Sequence, residues 1–159
     1  MHHRVAAIGP RPAALAQPVL SWVTGEIDRA LDRMKRRHSS LRVAVSLAPG
    51  LGFVLADLAV QHGIGLEVWV PHVQIGQHWP PDLKGRLYKT IDSAQSLVVA
   101  HNEEKFQPWM HPSHLRSLAT SAGSQLIVTG ASDLDLSGLC TSRTYKIDFA
   151  KRRVSWSQT

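Results

Sequence analysis

The chain of 159 residues is 43% hydrophobic and 19% charged, which suits one globular domain with a real core and is too short for two. No run reaches the roughly 18 apolar residues of a membrane span. The opening "MHHRVAAIGP" lacks a signal peptide's apolar stretch, and the single cysteine, Cys140, excludes an internal disulfide and a zinc-ribbon site. A cytoplasmic protein is the expectation. Lys and Arg number 18 against 12 acids, a net charge of +6, which invites an anionic partner, either nucleic acid or a phosphorylated small molecule. Much of that excess lies in "RMKRRH" (33–38) and "KRR" (151–153). The first of these closes an expected helix, where cations complement the dipole, and both runs read first as solvated surface.

"RVAAIG" (4–9) is a short apolar run ending in Gly-Pro, the mark of a buried strand. From Pro18, Val19, Val23, Ile27, Ala30, Leu31 and Met34 fall at spacings of three and four, one face of a helix opened by proline and closed by basic residues. "LRVAVSLA" (41–48) predicts a second strand, and residues 51–62 a second helix stopped by Gly63. "LEVWVP" (66–71) predicts a third strand. "PPDLKGRLYKTIDSA" places Leu83, Leu87, Ile91 and Ala94 on one helical face, and "SLVVA" (96–100) follows as a strand. "HPSHLRSLATSAG" (111–123) predicts a short helix, and "QLIVTGA" (125–131) a fifth strand. Alternating strands and helices imply right-handed crossovers, hence an α/β three-layer fold with a mostly parallel sheet of at least five strands and helices on both faces. With no repeat and no low-complexity linker, residues 1–159 read as a single domain. The segment 141–159 has two readings. Tyr145, Ile147 and Phe149 alternate with Lys146 and Asp148 as in a hairpin, yet a helix through Tyr145 and Phe149 followed by a last strand fits equally.

In such a sheet, ligands sit beyond the carboxyl ends of the strands. Four loops are expected there. "GPRP" (9–12) offers Gly9 for close backbone approach and Arg11 as a planar cationic donor. "APGLG" (48–52) offers Gly50, Gly52 and the amides around Phe53 at a helix start. "PHVQIGQHWPPD" (71–82) carries His72, Gln77, His78 and Trp79, and "TGASDLDLSGLCTS" (129–142) carries Gly130, Ala131, Asp133, Asp135 and Gly138. Each loop has a plain structural alternative: Gly52 for close helix–strand packing, Arg11 for an ion pair. His111 and His114 share a helical face, but no Cys or carboxylate completes a metal set, so no metal and no cofactor are expected.

The order of these segments resembles the YpsA-like family of the SLOG superfamily, whose relatives include the Lonely Guy phosphoribohydrolases and DprA. "IGPRP" looks like the family's Gly-x-Arg-Pro opening, and "APGLGFVLADLAV" is similar to its Gly-x-Ala-x-Gly-x-Asp segment. "VPHVQIGQHWPPDLKGRLYKTIDSA" resembles its Pro-Phe-x-x-Gln-x-x-x-Trp stretch and following helix, with Gln77, Trp79, Tyr88 and Ala94 in corresponding places. The resemblance implies a Rossmann-like fold and a nucleotide or nucleotide-derived ligand held by Gly9, Arg11, Gly50, Gly52, Phe53, Gln77, Trp79, Gly130, Ala131 and Gly138. It also departs from the pattern. The family's acid falls on Val54, its first glycine falls near Ala48, and the superfamily's Pro-Gly-Gly-x-Gly-Thr-x-x-Glu motif is absent.

Three functions follow. The first is a sensor or non-catalytic protein that binds a nucleotide-like small molecule. The second is a nucleotide N-glycosidic hydrolase, whose oxocarbenium-like centre needs a carboxylate, with Asp133 or Asp135 as the stand-in. The third is DprA-like nucleic-acid binding through the basic runs. Whether the chain is an enzyme, and whether it forms a homo-oligomer, stay open at this level.

Overall fold

The structure, a computed structural model, describes residues 3–10, 15–47, 51–130 and 143–158. Its elements are β1 (His3–Ile8), α1 (Gln17–Arg37), β2 (Leu41–Ser46), α2 (Gly52–Gln61), β3 (Gly65–His72), α3 (Pro81–Ser93), β4 (Ser96–His101), α4 (Met110–Thr120), β5 (Ser124–Thr129), β6 (Arg143–Asp148) and β7 (Arg153–Gln158). They build a seven-stranded sheet of order β4-β3-β2-β1-β5-β6-β7. Every pairing is parallel except β6 with β7. This is the α/β, mostly parallel architecture that the strand–helix alternation predicts, and it is Rossmann-like, as the family resemblance implies.

The central strands β1, β2, β3 and β5 bury both faces, as parallel strands under helices must, while the edge strands β4 and β7 are more exposed. Val5, Ala7, Val43, Val45, Leu66, Val68, Leu126 and Val128 pack in one cluster with the apolar sides of α1, α2 and α3. Ala6, Ile8, Ala44 and Trp69 pack on the opposite face with Leu118, Ala119 and Ala122 of α4 and its C-terminal end. The α1 stripe foreseen from spacing is buried at Val23, Ile27, Ala30, Leu31 and Met34, and the helix opens with proline in its first turn and closes with Lys35, Arg36 and Arg37. Gly63 adopts φ +67°, the left-handed conformation that ends α2.

Between the two readings of the C-terminal segment, the described residues form the hairpin. Tyr145 pairs with Trp156 and Ile147 with Val154. The intervening residues 149–152 are held by the Asp148 carboxylate, which accepts the Lys151 amide at 3.0 Å. Arg152 sits at φ 51°, and its guanidinium lies over the Trp22 ring, 5.1 Å from the centroid. A helix-sized segment here would have no stripe of three-four spacing beyond Tyr145 and Phe149, whereas the alternation satisfies both faces of a sheet edge.

Candidate functional site

The connectivity marks one place on the sheet. From β1 the chain steps outward through β2, β3 and β4 with α1, α2 and α3 on one face. It then crosses under the opposite face through α4 and returns beside β1 as β5. The strand order therefore reverses between β1 and β5. In open α/β sheets the crevice beyond the carboxyl ends at such a reversal is the ligand position. Gly9 follows β1 and Gly130 follows β5, so two of the expected residues flank it.

Both glycines lie in close contacts, Gly9 with a side chain and Gly130 with backbone. A Cβ on Gly9 would lie 2.7 Å from Leu51 Cδ1, so the first loop rests directly on the residue that caps α2. Gly130 adopts φ +127°, and a Cβ there would lie 2.8 Å from the Ala150 nitrogen and 3.1 Å from the Phe149 ring. The hairpin turn is thus packed against the loop after β5, secured by the Phe149 amide donating to the Thr129 carbonyl at 3.0 Å.

Gly52 answers the question its motif poses. A Cβ there would stand 1.7 Å from the Ser46 carbonyl oxygen. The glycine is demanded by the contact of α2 with the end of β2, whatever else the loop holds. That approach presents the first turn of α2 at the rim with no side-chain cap and no acid. The amides of Gly52, Phe53 and Val54 are the orphan donors of a helix start. The Phe53 ring is buried, edge-on to Trp79 with centroids 6.3 Å apart, and the Arg86 guanidinium lies 4.8 Å above it. Only the backbone of Phe53 is free to meet a ligand.

Trp79 is half-buried and packs against the core that α2 and α3 share; its ring is also what a Cβ on Gly76 would touch, at 3.2 Å. Gln77 is exposed in the turn before it, its amide donating to the Gln74 carbonyl at 3.1 Å. Val54, where the family carries an acid, is half-buried against the same core. Arg11, Gly50, Ala131, Asp133, Asp135 and Gly138 lie outside the described residues.

Two polar groupings at this rim escape a reading by motif. His72 is fully buried at the end of β3. Its Nδ1 accepts the Gln74 amide at 3.0 Å, which puts the proton on Nε2, and Nε2 donates to the Glu103 carbonyl at 2.6 Å. The Gln74 side chain adds bonds to the Phe106 amide and the Glu104 carbonyl, at 3.1 and 3.4 Å. The loops after β3 and β4 are therefore clamped together by His72 and Gln74 rather than by Gln77 or His78. The second grouping is Ser46 with His114. Ser46 Oγ lies 2.6 Å from His114 Nε2, and His114 Nδ1 bonds the His111 carbonyl. A carbonyl only accepts, so Nδ1 carries the proton and Nε2 receives the serine hydroxyl. Burial, with His111 next in weight, lowers the His114 pKa to about 4. So weak a base, buried with its hydroxyl, orders the end of β2 and makes a poor proton acceptor at neutral pH. His111 and His114 do sit together, with rings 5.1 Å apart. Among the described residues no group of three or more His, Cys, Asp or Glu could hold a metal ion.

No protein-family model matches the chain, and no curated protein matches it in sequence. The fold is similar to the X-ray structure of DNA processing protein A (DprA) from Streptococcus pneumoniae. The TM-score is 0.59 at 14% identity, over 79% of this chain and 41% of that one. The fold is DprA-like, and the chain spans less than half the length of that neighbour. Among the described residues no helix is long and apolar enough to cross a membrane.

Proposed function

We propose that this chain is a YpsA-like member of the SLOG superfamily that binds a nucleotide or nucleotide-derived ligand at the carboxyl edge of its sheet and does not turn it over. One observation carries the reading: the strand order reverses between β1 and β5, and the loops after both strands begin with closely packed glycines. The uncapped start of α2, adjoining Gly9 through Leu51, supplies amides for a phosphate. In this reading Arg11 adds a charge-assisted bond, Gly50, Ala131 and Gly138 complete the loops, and Gln77 and Trp79 border the ligand's far end. Val54 in place of an acid favours binding over glycosidic cleavage, for which Asp133 and Asp135 stand as the candidate carboxylates.

The test is calorimetry with nucleoside monophosphates and ADP-ribose, with parallel chromatography for released base. Arg11→Ala is expected to weaken binding about ten- to a hundredfold, the worth of a hydrogen bond to a charged group, and no free base is expected. Base released above an Asp133→Asn/Asp135→Asn control overturns the non-catalytic part. The neighbour's name, DNA processing protein A, motivates one further arm. If a single-stranded oligonucleotide outcompetes the mononucleotides, with affinity falling steeply as salt rises, the ligand is nucleic acid.

A further inference from the structure

The opposite, amino-terminal edge of the sheet holds a cavity of about 350 Å³, within the range of about 300–1,000 Å³ typical of small-molecule sites. Its floor is the first residues of three strands, His3 of β1, Ser124 of β5 and Arg143 of β6. One wall is the last turns of α1, with Arg33, Arg37 and His38, and the other is Trp156 on β7. The rings of His3 and His38 stack at 3.7 Å, 4° from parallel. Trp156 is 40% exposed, and its orientation is set by Tyr145, edge-on at 5.9 Å.

The charges here are uncompensated. Elsewhere Arg4, Arg36 and Arg86 each reach a carboxylate, Glu67, Asp32 and Asp57, at 2.6 to 2.9 Å. Among the described residues Arg33, Arg37 and Arg143 have no acidic partner, and no acid lines the cavity. Arg33 and Arg37 stand one helical turn apart, a like-charge spacing that destabilises a bare helix. The crowding is felt by His3, whose pKa is lowered by burial first and then by His38 and Arg143.

We infer that this cavity is a second anion site, taking a phosphorylated nucleoside: the phosphate among Arg33, Arg37 and Arg143, and the flat ring on Trp156. Arginine forks match phosphate oxygens, and an exposed indole stacks on any base without reading its sequence. The same chemistry is carried by a free mononucleotide and by one unit of a single strand, and the assay separates the two.

Trp156 fluorescence is followed in a Trp22→Phe/Trp79→Phe/Trp109→Phe background, where the buried Trp69 is the one other indole. It is read as the part of the emission that Trp156→Phe removes, while adenosine monophosphate, inorganic phosphate or an oligothymidylate is added. Quenching by adenosine monophosphate is expected, with weaker or no response to phosphate alone. Arg143→Ala and Arg37→Ala should each weaken it about ten- to a hundredfold, with Arg143→Lys retaining part. Both arginines are exposed, so these variants should fold with unchanged or higher thermal midpoints. Arg11→Ala, in the loop after β1, should leave this quenching unchanged while weakening the binding proposed above about ten- to a hundredfold, so either site can fail alone. Oligothymidylate binding tighter per site than the mononucleotide, and still dependent on Arg143, assigns the site to nucleic acid. Quenching indifferent to Arg37 and Arg143, or none at all, overturns the inference.

Discussion

Acid should loosen this protein through His114. In the folded chain the imidazole is buried between Ser46 and the His111 carbonyl, and its pKa is lowered from the ordinary 6.5 to about 4. The unfolded chain therefore binds a proton that the folded chain refuses, and stability present above the unfolded value is lost as pH falls through it. Between about pH 8 and about pH 5 the loss from this one group is about 2 kcal/mol, because the unfolded imidazole is almost fully charged at the lower pH and the folded one is not. For a chain of this length that lowers the thermal midpoint by roughly 4–8 °C. His3, whose pKa is also lowered, adds a change of the same sign. The assay is thermal or urea unfolding followed across this range for the native chain and for His114→Gln. The variant is expected to be less stable near neutrality, since it loses the bonded imidazole, and to show a flatter dependence on pH. An equal slope in the two proteins would refute the assignment of the proton to His114.

Two further substitutions probe packing. Gly52→Ala drives a methyl into the Ser46 carbonyl and should cost about 3 kcal/mol or more, whereas Gly25→Ala in α1 has nothing within 4 Å and should add about 0.5–1 kcal/mol; urea unfolding that ranks them the other way contradicts the contact. Glu67→Ala strips Arg4 of a partner bonded at 2.6 and 3.0 Å at the buried start of β3. Unfolding should show a loss of roughly 1–3 kcal/mol, less than for a fully buried pair because Arg4 keeps 29% side-chain exposure.

Much of the fold is legible in the order of residues because both periodicities are strong. The α1 stripe from Val23 to Met34 repeats at three and four, and the central strands are apolar runs too short for a helix. The C-terminal hairpin was balanced against a helix because Tyr145 and Phe149, four apart, satisfy both periods. Its turn also lacks the usual signal: Arg152, not glycine, takes the positive φ, supported by Trp22 some 130 positions away in the chain. The rim is legible only in outline. Gly9, Gly52 and Gly130 stand out as glycines after strands, but what each touches, Leu51, Ser46 and Phe149, depends on tertiary packing. The Ser46–His114 pair and the His72–Gln74 clamp carry no motif. Residues such as His3, Arg33 and Arg143 meet only because β1, α1 and β6 are brought side by side.

The two edges of this sheet face opposite electrostatic problems, and their residues differ accordingly. In a parallel sheet with helical crossovers, helices begin near the carboxyl edge and end near the amino edge. The positive poles of the helix dipoles gather at the first and the negative poles at the second. An anion at the carboxyl edge can be held by backbone amides, and the described part of that edge offers Gly9, Gly130 and the uncapped start of α2, while two of its cations, Arg86 and Arg152, lie over the rings of Phe53 and Trp22. At the amino edge the exposed carbonyls of α1 repel an anion, and Lys35, Arg36 and Arg37 in its last turn complement them, Arg36 being paired with Asp32. Arg33 lies a turn further in and Arg143 comes from another element, so both exceed what the helix end requires. The hairpin makes that excess possible. Because β6 runs parallel to β5, its end buttresses Gly130 at one edge, while its start delivers Arg143, beside Tyr145 and Trp156, to the other.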